Sequence, residues 1–134
     1  MKENHQQMNA DQQHMVETFG PLAESDPLGI NQHEPGAKLD AGKPRAGLVL
    51  LGFALALSEV AEVGTYGAAK YTANGWLHVP NGHERYTDAM LRHLLSDAAG
   101  EQRDKETGIR HAAHAAWNAL ARLDLAIRAE RGDA

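Results

Sequence analysis

Two long proline-free stretches decide what this chain can fold into. After Pro44 the next proline is Pro80, and none follows it as far as residue 134. Proline inside a helix removes a backbone donor and clashes with the preceding turn, at a cost of about 3 kcal/mol. Its absence leaves both stretches open to helix. Neither stretch alternates apolar and polar residues at period two, the mark of a half-buried strand. The expected fold class is therefore all-α. Helices are predicted over about 46–71, 84–99 and 109–129, with a hairpin tip at 72–83 that carries Asn74-Gly75-Trp76 and Pro80-Asn81-Gly82. On the second helix Tyr86, Met90 and Leu94 recur at i, i+4. On the third, Ile109, Ala113, Ala116, Trp117, Leu120, Leu123 and Ile127 form an apolar stripe. Gly64 and Gly67 each cost about 1 kcal/mol inside a helix, which predicts a close backbone approach or a local break there.

The start of the first helix is apolar all round: Leu48, Val49, Leu50, Leu51, Phe53, Leu55 and Leu57. Such a helix needs cover on several sides, and three long helices from 134 residues make a thin bundle. Completion of the bundle by self-association, as a dimer or tetramer, is expected. Residues 1–36 hold six acids and one base, whereas the remainder balances at twelve of each, so the net charge of −5 belongs to a polar leader. The leader spans 1–35, with a short helix near 9–18 and otherwise irregular chain; the helical domain spans 36–134. A neutral body lacks the basic excess that phosphate-backbone binding uses, so no nucleic-acid partner is expected. The longest apolar run, 46–57, is too short for a bilayer, so no membrane partner is expected, and the polar first residues carry no signal-peptide core. A cytoplasmic protein follows. With no cysteine, disulfides, zinc–thiolate sites and a cysteine nucleophile are excluded.

The charged residues of the body carry the chemical signal. Glu59 and Glu62 are three apart, hence on one helix face, amid Leu55, Leu57, Val60 and Val63. They read either as a wet stripe or as carboxylates gathered for a divalent cation. His93, Asp97 and Glu101 follow at i, i+4, i+8, with Asp104 three further on. If the first two helices form an antiparallel hairpin, their acids face each other at similar depth. Carboxylate oxygens suit the hard cations Mg²⁺ and Mn²⁺. His111 and His114 lie three apart and read as hydrogen-bonding or packing residues; direct ligation would make a zinc-dependent helical hydrolase instead. Lys38, Lys43 and Arg45 sit in a glycine-containing loop that is either a solvated connector or an anion-gripping arm. Lys70, Asn74 and Trp76 cluster at the tip, where lysine can neutralise phosphate, Asn can read a base edge and Trp can stack on a purine; ordinary loop packing is the bland alternative. Arg85 and Arg92 share one side of the second helix and could add phosphate contacts.

An ordered series of short motifs runs through the body: Gly36-Ala-Lys-Leu-Asp-Ala-Gly-Lys-Pro-Arg45, Gly67-Ala-Ala-Lys-Tyr71, Asn74-Gly-Trp76, Arg85-Tyr86, Arg92-His93-Leu94, Gly100-Glu101, Asp104 and His111-Ala-Ala-His114. Over about 36–125 the chain resembles the phage dATP/dGTP diphosphohydrolase family and is similar to the MazG-like all-α nucleotide pyrophosphohydrolases. The resemblance implies a MazG-like helical bundle that hydrolyses a purine deoxynucleoside triphosphate, chiefly dGTP or GTP, to the monophosphate and pyrophosphate. In phages that replace adenine with 2-aminoadenine, the dGMP feeds synthesis of the modified nucleotide in the infected host's cytoplasm. It also implies Mg²⁺ (or Mn²⁺) on Glu59, Glu62, Glu101 and Asp104, with Asp97 as a substitute, and Glu59 or Glu62 as the group that activates water. Substrate contacts would come from Lys38, Lys43, Arg45, Lys70, Asn74, Trp76 and Arg92. The competing reading is a non-enzymatic helical oligomerisation module that binds a phage or host protein.

Overall fold

The computed structural model describes residues 10–19 and 24–133. It divides into two units, one ending at Ala46 and one beginning at Gly47. In the first, α1 spans Ala10–Phe19, where the sequence predicts a short helix. The segment from Glu24 to Ala46 is irregular but stapled by one side chain. Asp26 Oδ1 accepts the Leu28 N–H at 2.7 Å and the Ile30 N–H at 3.5 Å, and Oδ2 accepts the Lys38 N–H at 2.8 Å. The Lys38 N–H bond is the largest influence on the Asp26 carboxyl and holds it below the ordinary carboxylate range.

A carboxyl whose folded pKa is depressed stabilises above its unfolded pKa and loses that contribution as pH falls through the folded value. Protection of the Lys38 amide is therefore expected to fade on acidification below the ordinary carboxylate range. Asp26→Asn should abolish it at neutral pH, because one arm of the amide turns an NH₂ toward another donor. Hydrogen exchange at Lys38 reads both effects, and unchanged protection in the variant would remove Asp26 as the staple.

The second unit is a helical bundle: α2 (Gly47–Leu50), α3 (Ala54–Lys70), a 3₁₀ turn (Gly75–His78), α4 (Gly82–Ala98) and α5 (His111–Arg131). Among the described residues there is no strand, only one isolated antiparallel bridge, Arg103 to Arg110. The predicted first helix is interrupted at Gly52, not at Gly64 or Gly67. The Gly52 N–H reaches Gly47 O at 3.3 Å, five residues back, and a Cβ at Gly52 would collide with the Leu48 carbonyl. That wider turn separates α2 from α3. Gly64 does mark a close approach, since a Cβ there would lie 3.4 Å from Trp117 Nε1, whereas Gly67 faces open space.

α5 is the central helix and packs mainly on α4 and less on α3; the extended α3–α4 hairpin expected from the sequence does not form. The buried apolar set is small: Val60 and Val63 of α3, and Ala113, Ala115 and Ala121 of α5. Alanine on α5 lets the helix axes come close. Larger apolar residues lie outside this set: Leu51 is 79% exposed and Leu55 92%, and Leu120, Leu123 and Ile127 of the predicted stripe are exposed too. Trp117 is clasped edge-on by two rings, Trp76 at 6.0 Å and Tyr86 at 5.6 Å between centroids. The Tyr86 hydroxyl donates to Trp76 O at 3.1 Å, which fixes the 3₁₀ turn to α4. No helix among the described residues is long and apolar enough to cross a membrane.

Candidate functional site

The loop between α4 and α5 builds the site. Gly100 takes φ +98° and ends α4, with the Glu101 N–H returning to Ser96 O at 3.0 Å. The chain then doubles back. The Asp104 N–H bonds Ile109 O at 2.9 Å, and the His111 N–H bonds Gln102 O at 3.0 Å. One side of this loop meets three imidazoles; the other lines a cleft against α3.

On the imidazole side, Asp104 Oδ2 accepts the Thr107 N–H at 3.0 Å and the Thr107 hydroxyl at 2.9 Å. Burial raises the Asp104 carboxyl, but these two bonds outweigh it and leave the group below its ordinary range. Thr107 Oγ1 is also 2.8 Å from His114 Nε2. The hydroxyl has one proton, and the ionised Asp104 is the stronger acceptor. His114 is thereby assigned as the donor at Nε2. Burial pushes His114 and His93 down, toward the neutral form, with neighbouring imidazoles adding to the effect. The His93 and His114 rings stack at 4.5 Å and 9°. His93 Nδ1 lies 2.8 Å from His111 Nδ1. His93, Asp104 and His111 each bring a ligating atom within 4.8 Å of the others, a group able to coordinate a metal ion.

On the cleft side, an open depression of about 810 Å³ lies between α3 and the loop, lined by Ser58, Glu59, Glu62, Thr65, Tyr66, Arg103, Thr107 and Arg110 among others. That volume falls within the range of small-ligand sites. Glu59, on α3, brings its carboxylate to the N-terminus of α5. It accepts the Arg110 N–H at 3.1 Å and pairs with the Arg110 guanidinium. Burial raises the Glu59 carboxyl, but the Arg110 amide and guanidinium hold it below its ordinary range. Tyr66 of the cleft lining donates its hydroxyl to Glu106 at 2.9 Å, and Glu106 also accepts from Lys70 Nζ at 2.6 Å. Thr107 belongs to both sides, since it lines the cleft and also bonds Asp104 and His114.

The residues singled out from sequence are distributed as follows. Glu59 and Glu62 share the cleft. Asp104 joins the imidazole cluster, and Glu101 Oε1 stands 3.4 Å from His111 Nε2. Asp97 is exposed near the end of α4, outside that cluster. Lys70 is engaged with Glu106, Asn74 holds the left-handed conformation before the 3₁₀ turn, Trp76 packs on Trp117, and Arg92 is exposed on α4. Lys38, Lys43 and Arg45 belong to the first unit. His111 belongs to the metal-capable group, whereas the sequence offers it as a ligand only in the zinc alternative, paired with His114 rather than with His93; Arg103 and Arg110 carry no sequence signal. The signal for the histidines was present, as a lone imidazole on one helix and a His-x-x-His pair opening the next.

Fold and site together define an all-α bundle, as in MazG-like proteins, with a candidate divalent-metal centre beside a charged cleft. The family model described as "dATP/dGTP diphosphohydrolase, N-terminal" matches residues 33–134, and the chain belongs to that family. It is similar to the dATP/dGTP diphosphohydrolase of Salmonella phage PMBT28, at 40% identity over 81 residues, which is 60% of this chain and 26% of the relative. The chain thus spans about a quarter of the length of the curated relative it matches. No solved structure matches the chain.

Proposed function

We propose that residues 36–134 form the hydrolase domain of a metal-dependent diphosphohydrolase. It cleaves a purine deoxynucleoside triphosphate, chiefly dGTP or GTP, to the monophosphate and pyrophosphate. We further propose that it is of the MazZ type, supplying dGMP for 2-aminoadenine nucleotide synthesis in the cytoplasm of an infected host, with residues 1–35 as a leader. One observation carries this reading beyond family membership. A single loop directs Asp104 into a metal-capable cluster and Arg103 and Arg110 into a nucleotide-sized cleft.

The cofactor proposed is Mg²⁺ or Mn²⁺. The donor set fits a divalent cation, Mn²⁺ better than Mg²⁺: an ionised Asp104 and the imidazoles of His93 and His111. When bound, such an ion supplies Lewis acidity at the α-phosphate and acidifies water. Asp104 would contribute carboxylate to it, with Glu101 behind His111; Glu59 and Glu62 are proposed as carboxylates on the cleft side, with Asp97 as a substitute. Glu59 or Glu62, with Glu59 favoured by its fixed position, accepts the proton of the water that attacks the α-phosphorus. The α–β bridging bond breaks, and pyrophosphate carries away the electron pair. Arg103 and Arg110 offset the charge that gathers on the leaving group. Lys38, Lys43, Arg45, Lys70 and Arg92 are proposed as further phosphate contacts, and Asn74 and Trp76 as the base grip. The exposed apolar residues of α2 and early α3 support completion of the bundle by a second copy, as dimer or tetramer.

The test is incubation with dGTP or dATP and either cation, on material whose mass is measured by light scattering. Pyrophosphate and monophosphate from a species heavier than the monomer are expected. Orthophosphate would point to a different bond, and absence of product under both metals would overturn the reading.

A further inference from the structure

The metal-capable group differs in chemistry from the all-carboxylate set that the sequence suggests. Two of its three donors are imidazoles, one from α4 and one from the first turn of α5. Their Nδ1 atoms face each other at 2.8 Å. Two ring nitrogens so placed need a proton between them, so one ring donates and the other presents a lone pair. His111 is only 4% exposed, and its Nε2 is buried without a hydrogen bond, with Glu101 Oε1 at 3.4 Å. A ligating histidine commonly donates its other ring N–H to a carboxylate, which fixes the tautomer. With the N–H on Nε2 toward Glu101, the His111 Nδ1 lone pair points at His93. The stack of His93 on His114, itself bonded to Thr107, sets the second ring.

We propose that His93, Asp104 and His111 form a binding site for an imidazole-preferring first-row cation of the Mn²⁺, Co²⁺ or Zn²⁺ class, which takes the place of the proton shared by the two Nδ1 atoms, and that the site discriminates against Mg²⁺. Two nitrogens on one tetrahedral ion lie about 3.4 Å apart, so occupation needs only a modest opening of the ring pair. Magnesium keeps oxygen ligands and sheds water reluctantly, whereas imidazole suits the later ions. Glu101 acts behind His111 as a positioning residue. The proposal rests on the metal-dependent reading above, but its test is independent of turnover.

The full chain, stripped with a chelator, is titrated by calorimetry with Mn²⁺, Co²⁺, Zn²⁺ and Mg²⁺, and by visible absorption with Co²⁺. Binding of the first three at least about 100-fold tighter than Mg²⁺ is expected, with Co²⁺ bands of a nitrogen-containing site. His93→Ala and His111→Ala should each weaken binding at least tenfold, while His78→Ala on the 3₁₀ turn leaves it unchanged. If either variant fails to fold, Mn²⁺ broadening of the His93 and His111 ring resonances in the wild-type chain decides the matter. Mg²⁺ affinity equal to that for Mn²⁺, or no selective broadening of those rings, would overturn the proposal. Mg²⁺-supported hydrolysis alongside that result would leave the diphosphohydrolase reading standing. Tight Co²⁺ binding without hydrolysis under any metal would do the reverse.

Discussion

Asp104→Asn is expected to lower metal-dependent turnover by about a thousandfold while leaving the thermal midpoint within a few degrees. Loss of an outer hydrogen-bond partner at metal sites costs about 10–100-fold, and Asp104 is placed to ligate directly. The substitution isolates charge from shape. Both Thr107 donors, the N–H and the hydroxyl, converge on Oδ2, and an asparagine carbonyl can accept them in the same place. The Asp104 N–H to Ile109 O and Gly108 N–H to Asp104 O bonds are backbone and persist. What disappears is the negative charge beside His93 and His111. Initial rates with dGTP across a Mn²⁺ series separate weakened metal binding, recovered at high metal, from lost chemistry, which is not. Activity within threefold of wild type at every metal concentration would remove Asp104 from the site.

The site was partly legible in the sequence, and the illegible part has a physical cause. Proline spacing located the helices, and the family motifs marked the loop. The projection of His93, Asp97 and Glu101 onto one helix fails because Gly100 turns left-handed and ends α4 after Ala98. Glu101 therefore travels with the loop and comes near His111. Glu59 and Glu62 share a face as their spacing required. The partner of Glu59, however, is Arg110, 51 residues on, brought there because α5 lies on α3. Spacing along a helix is read directly from sequence. Contacts such as His93–His111 depend on how a loop returns, and no period encodes that. The Gly52 interruption was hidden for a related reason: Gly52, Gly64 and Gly67 look alike in sequence, and only the Gly47 carbonyl's five-residue bond distinguishes the first.

Trp117→Ala is expected to cost about 3 kcal/mol of unfolding free energy and roughly 10 °C in midpoint. The figure is large because the rest of the interior is small. No large side chain is fully buried among the described residues, and the apolar core is two valines and three alanines. Trp117 meets three elements at once: Trp76 of the 3₁₀ turn, Tyr86 of α4, and the bare backbone of α3 at Gly64. Each edge-to-face pair contributes about 0.5–1.5 kcal/mol beyond area burial, and removing the indole leaves a cavity that the Tyr86–Trp76 hydrogen bond holds open. Trp117→Phe should recover about half the loss by keeping part of the ring contact. Urea unfolding followed by circular dichroism measures both variants. A cost below about 1 kcal/mol for the alanine variant would mean that the aromatic cluster is not what binds the 3₁₀ turn, α4 and α3 to α5.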